Sequence, residues 1–161
     1  CIRSLIVYYS RSGTTRKAVI ELAKHVRADT YELIDKKKRK GLFGWLRSGR
    51  DAAKKKQTDI VEPTHVPSRY PLVILAMPLW VGTMPPAMRS YIDLYFKGAK
   101  QTAFFVVMGG KGQEEIFEEL ETLTDMKPLA TASVRSKHVK KNTSAFSDAL
   151  KKFTEDLVSK K

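Results

Sequence analysis

Two unbroken apolar runs limit what this chain can fold into. Leu72-Val73-Ile74-Leu75-Ala76-Met77 is closed on both sides by proline, Pro71 and Pro78. Thr102 to Met108, TAFFVVM, runs straight into Gly109-Gly110-Lys111-Gly112. Neither alternates apolar with polar, as a strand with one wet face would, so both read as strands covered on each side. Strands of that kind belong to parallel sheets with helices packed on both faces.

The rest of the chain fits that frame. Leu5-Ile6-Val7-Tyr8-Tyr9 is a first strand, and Ala18, Leu22 and Val26 follow at the four-residue spacing of a helix face. Thr30 to Ile34 suits a second strand, and Leu129 to Val134 suits a last one. Helical spacing returns from Ala87 through Met88, Tyr91, Ile92 and Tyr95, and again over 113–124, with Ile116, Phe117, Leu120 and Leu123 on the buried side. Ala145, Phe146, Ala149, Leu150, Phe153 and Leu157 mark a closing amphipathic helix. Residues 41–56 would supply the crossover helix between the second and third strands. The expectation is one α/β domain over 1–161, with five strands, about five helices and no repeat or linker.

In such sheets ligands lie beyond the carboxyl ends of the strands, where the strand order switches direction. The loops after strands one, three and four are therefore the informative ones. The first, Ser10-Arg11-Ser12-Gly13-Thr14-Thr15, is small and hydroxyl-rich and opens a helix. Unpaired first-turn amides, the helix dipole and added hydroxyl donors suit a phosphate there. The same residues also suit a plain cap, with Ser12 or Thr14 capping and Gly13 turning, and the loop alone does not separate the two. It has neither GxxxxGK[ST] nor GxGxxG. The second loop, Pro78-Leu79-Trp80-Val81-Gly82-Thr83, sets a tryptophan among prolines at the sheet rim, where it suits a flat ligand or folds back as a lid on the core. The third, Gly109-Gly110-Lys111-Gly112, offers backbone rather than side chains.

Taken together, SLIVYYSRSGTTRKAVIELAKHV, LVILAMPLWVGTMPPAMRSYID and FFVVMGGKG resemble the flavodoxin-like family, specifically small FMN-binding flavoproteins, over essentially the whole chain. The resemblance implies a doubly wound sheet of order 2-1-3-4-5, for which flavodoxin is a standing example, with FMN at the switch point. It implies that Ser10, Arg11, Ser12, Gly13, Thr14 and Thr15 wrap the FMN phosphate. Pro78, Leu79, Trp80, Val81, Gly82 and Thr83 would then run along one side of the isoalloxazine, and Gly109, Gly110, Lys111 and Gly112 would close the other.

Charge departs from that pattern. Electron-carrier flavodoxins are typically acidic, whereas this chain carries 30 Lys+Arg against 17 Asp+Glu, a net +13. Lys36 to Lys56 holds ten bases and one acid, Asp51, and Gly112 to Asp125 holds six acids and no base. The basic stretch would attract an anionic partner or merely solvate the domain. Lys111 beside the ring would favour the reduced, anionic flavin.

The leading expectation is an electron-transfer flavoprotein serving a redox partner protein or a small-molecule acceptor. A second is an FMN-dependent NAD(P)H:quinone-type reductase, and a third is a non-redox scaffold with a basic arm for membrane or nucleic acid. A single cysteine, Cys1, excludes an intramolecular disulfide and a cysteine-ligated cluster. His25, His65 and His138 lack metal-site spacing. No specific nucleic-acid motif and no membrane span are read, so a cytoplasmic monomer or homodimer is expected.

Overall fold

The computed structural model describes residues 4–10, 13–34, 60, 63–79, 84–109 and 113–159. Strands β1 (Ser4–Tyr8), β2 (Ala28–Glu32), β3 (Leu72–Pro78), β4 (Thr102–Met108) and β5 (Thr131–Arg135) form one sheet of order β2-β1-β3-β4-β5. Every pairing is parallel. Helices α1 (Thr14–His25), α2 (Pro86–Tyr95), α3 (Gln113–Thr124), α4 (Ser136–Lys141) and α5 (Ser144–Ser159) cover it. The doubly wound α/β class and the 2-1-3-4-5 order are as expected. The crossover helix expected over 41–56 lies outside the described residues.

Alternation along β1 sorts the core into two layers. Leu5, Val7 and Tyr9 face α2 and α3 with Val73, Leu75, Met77, Phe104 and Val106. Ile6 and Tyr8 face α1, α4 and α5 with Ile74, Ala76, Phe105 and Val107. The two runs that define the fold are buried along both faces, as a central parallel strand requires.

Four expectations are corrected. The second strand begins two residues early, because the β1 register pairs Ser4 with Ala28 and ends with Tyr8 on Glu32. Leu33 lies past the strand yet is 2% exposed, and its N–H still donates to Tyr8 O at 2.7 Å, while Ile34 turns outward. The last strand is shifted the other way and begins at Thr131: Leu129 and Ala130 lead into it, tied by Leu129 N–H to Thr102 O at 2.9 Å. On α3 the buried stripe narrows to Ile116 and Leu120, with Phe117 stacked on Phe104 at 6.5 Å, and Leu123 in the last turn is 43% exposed. Ala145 at the start of α5 is exposed, so that helix buries Phe146, Leu150, Phe153 and Leu157.

One core group is out of balance. The Tyr91 side chain on α2 is fully buried against Tyr95 and Phe96, and its hydroxyl has no hydrogen-bond partner among the described residues. Burial pushes its ionisation far above the ordinary tyrosine value. An unpaired buried hydroxyl costs about 1–3 kcal/mol, so Tyr91→Phe is expected to be neutral or to stabilise by about 1 kcal/mol. Urea unfolding of the two proteins measures it, and a clear loss would reveal a partner for that hydroxyl.

Candidate functional site at the carboxyl edge of the sheet

The chain leaves β1 toward β2 on one side and later enters β3 on the other, so the order switches between β1 and β3. Backbone bonds continue past the strand ends at this edge and hold the loop bases in place. Tyr9 N–H donates to Ala76 O at 3.2 Å, and Leu79 N–H donates to Val107 O at 3.0 Å. Ser136 Oγ donates to Met108 O at 3.3 Å from the first residue of α4.

The loop after β1 is built around Gly13. Its φ of 98° is left-handed, a region costly for any residue with a Cβ, and it serves as the N-cap of α1. Gly13 N–H donates to Ser10 Oγ at 2.9 Å, which closes the turn, and Gly13 O accepts the first helix bond from Lys17 N–H at 3.0 Å. Thr14 is therefore the first helical residue and not the cap. A glycine cap brings no side-chain acceptor to the amides of the first turn, and that turn carries no acid. A Cβ placed on Gly13 would meet nothing within 4 Å. The helix start is thus donor-rich, uncapped by its own N-cap residue and, among the described residues, uncrowded at Gly13. Thr15, by contrast, is 2% exposed.

At the other two loops the described residues are fewer. Pro78 ends β3 half-buried, and Leu79 packs against the core layer beneath α2 and α3. Gly109 follows β4 exposed, with no described atom within 4 Å of where a Cβ would stand and no left-handed φ. Its value is the missing side chain rather than a special conformation. The structure thus brings Ser10, Gly13, Thr14, Thr15, Pro78, Leu79 and Gly109 to one edge on neighbouring strands. Arg11, Ser12, Trp80, Val81, Gly82, Thr83, Gly110, Lys111 and Gly112 lie outside the described residues.

A polar group unseen in the sequence sits beside the first loop. Arg16, in the first turn of α1, makes a two-pronged pair with Glu32 at the end of β2, Nε to Oε1 at 3.0 Å and Nη2 to Oε2. Tyr8 OH donates to the same Oε1 at 3.4 Å. Burial first, and then the Glu32 charge, raise the Tyr8 ionisation above its ordinary value. The hydrogen bond to Glu32 likewise raises that of Arg16. This cation is therefore engaged by the sheet edge. Only the parallel register, Tyr8 opposite Glu32, makes the triad visible.

The helices leaving the other two loops are linked. Arg89 of α2 and Glu119 of α3 pair at 2.7 Å with side chains only 10% and 21% exposed. The pair joins the element after β3 to the element after β4. Among the described residues no group of three or more His, Cys, Asp or Glu could hold a metal ion, and no helix is long and apolar enough to cross a membrane.

The model of the flavodoxin family matches residues 3–157. No curated protein sequence matches the chain. Among solved structures, it is similar to a flavoprotein of Lactobacillus acidophilus in complex with FMN, with a TM-score of 0.71 at 17% identity, over 88% of this chain and 98% of that one. It is also similar to a protein described as a flavoprotein from Bacteroides uniformis, with a TM-score of 0.73 at 21% identity, over 86% and 96%. A flavodoxin from the domain Archaea aligns with a TM-score of 0.61 at 14% identity, over 99% and 98%. At these identities the structural likeness establishes a shared fold.

Proposed function

This chain belongs to the flavodoxin family, and from that premise we propose that it binds FMN at the carboxyl edge of its sheet and serves as an electron-transfer protein. The observation that carries the reading is the start of α1: a left-handed glycine cap at the switch point that brings no side-chain acceptor to the first-turn amides, with no described atom within 4 Å of where its Cβ would stand. That donor set fits a dianionic phosphate, and it contains no carboxylate in the first turn to repel one. A solved structure of the same fold holds FMN.

On this reading Ser10, Arg11, Ser12, Gly13, Thr14 and Thr15 hold the phosphate. Pro78, Leu79, Trp80, Val81, Gly82 and Thr83 border one side of the ring, and Gly109, Gly110, Lys111 and Gly112 border the other. When bound, FMN supplies reversible one- or two-electron redox chemistry. The chain's own part is to fix and shield it. The Ser10–Gly13 turn holds the helix start open, Leu79 anchors the base of its loop in the core, and bare Gly109 leaves room at the edge. Lys111 places a cation in the third loop, which favours an electron-rich ring.

The test is the visible spectrum of the protein after FMN addition and gel filtration. Retained yellow absorbance supports the reading, and slow turnover with NADPH would separate a carrier from a hydride-accepting reductase. A colourless protein after gel filtration would end both redox readings.

A further inference from the structure

Among the described helices, charge is sorted by the face of the sheet they cover. The helices over one side of the sheet, α1, α4 and α5, hold eight Lys and Arg against four acids. Those over the other side, α2 and α3, hold one base against six acids. Within the basic side the excess gathers at one end. Between Asp125 and Asp148 the chain has no carboxylate at all. Arg135 closes β5, and Lys137, Lys140 and Lys141 follow on α4, all four exposed and without an acidic partner among the described residues.

Position makes this rim more than solvated charge. The segment after β5 leaves the sheet at the carboxyl edge, the edge that bears the three loops. Lys17 Nζ, from the first turns of α1, donates to Lys140 O at 3.1 Å, so the rim stands directly beside the helix whose start forms the first loop. Helix α4 owes its place to Val139, fully buried in the core layer, and ends at Asn142 in a left-handed turn. Its lysines are therefore held at the edge by a packed element.

We propose that this rim, Arg135, Lys137, Lys140 and Lys141, is the docking surface for an acidic electron-transfer protein. The inference rests on the FMN reading, since it places the rim beside the cofactor. A surface of one sign at the mouth of a redox site steers an oppositely charged partner and raises encounter rates by 10- to 1000-fold at low salt. None of the large exposed apolar residues (Ile20, Ile34, Val66, Leu94, Leu123, Val158) lies between 126 and 147. A rim without an apolar anchor suits brief protein encounters of the redox kind rather than insertion into a lipid surface.

The experiment uses FMN-loaded protein and an acidic [2Fe–2S] ferredoxin as electron donor, each electron lost by the ferredoxin being gained by the bound flavin. Stopped-flow gives the second-order rate constant across salt concentrations. Expected for the wild type is a steep fall as salt rises. The triple variant Lys137→Glu, Lys140→Glu, Lys141→Glu is expected to be at least about tenfold slower at low salt and nearly salt-independent. A control, Lys97→Glu, Lys100→Glu, Lys127→Glu, makes the same change in net charge at the opposite edge and is expected to stay within about threefold of wild type. Equal losses in both variants, or a salt-independent wild type, would overturn the proposal. So would charge-dependent self-association in sedimentation, or rim-dependent binding to phosphatidylserine vesicles with no ferredoxin effect. Flavin content is read from each spectrum beforehand. If the wild type takes up no FMN, the FMN reading fails by itself, and anisotropy of labelled ferredoxin with the same variants still decides the docking surface.

Discussion

Phe105→Ala is expected to remove about 3–5 kcal/mol of stability. Phe105 is fully buried in β4 and meets Phe153 of α5 edge-on, with ring centroids 5.4 Å apart at 80°. It is a contact by which the closing helix packs on β4, so truncation opens a cavity between two rigid elements that cannot collapse into it. A domain of this size holds roughly 5–15 kcal/mol in total, so the variant should unfold at markedly lower urea. Phe105→Leu, which keeps most of the volume, is expected to cost about 1 kcal/mol. If the alanine variant lost under about 1 kcal/mol, the α5 layer would not be packed on β4 as described.

The second large effect is on cofactor affinity. Changing Ser12 and Thr14 together to alanine removes two hydroxyl donors from the proposed phosphate loop while leaving the Ser10–Gly13 turn intact. Hydrogen bonds to a charged group are worth about 1.5–3 kcal/mol each, so the pair is expected to weaken FMN binding by roughly a hundredfold or more. Quenching of flavin fluorescence measures it. Unfolding should change little, since Gly13 and not Thr14 is the N-cap. A variant that lost stability but kept its FMN affinity would assign those hydroxyls to the helix and not to a ligand.

Much of the fold was legible because its central strands leave no ambiguity. Leu72–Pro78 and Thr102–Met108 are buried along both faces, and a run of that kind has one place in an α/β sheet. The edges were less legible for the same reason inverted. In β2, ADTYE, no residue reaches full burial, and the apolar Leu33-Ile34 that drew the expected strand forward lies beyond the last register pair. Helix α4 went unseen because SKHVKK buries only Val139, and one apolar residue has no period. Of the site, the glycine and hydroxyl pattern announced the loop after β1, but not which residue caps the helix. That depended on the backbone of Gly13, which a sequence shows only as permission. The Tyr8–Arg16–Glu32 group depended on register between two strands, information that no local pattern contains.

FMN binding of the kind proposed requires that the start of α1 hold a phosphate. Comparing the affinities of FMN and riboflavin, which differ only in that group, tests it directly. If the amides and hydroxyls of the first loop bind the phosphate, FMN is expected to bind about a hundredfold or more tightly than riboflavin. The Ser12→Ala, Thr14→Ala variant should close much of that gap. Equal affinity for the two flavins would contradict the account, leaving the open start of α1 without the ligand proposed for it.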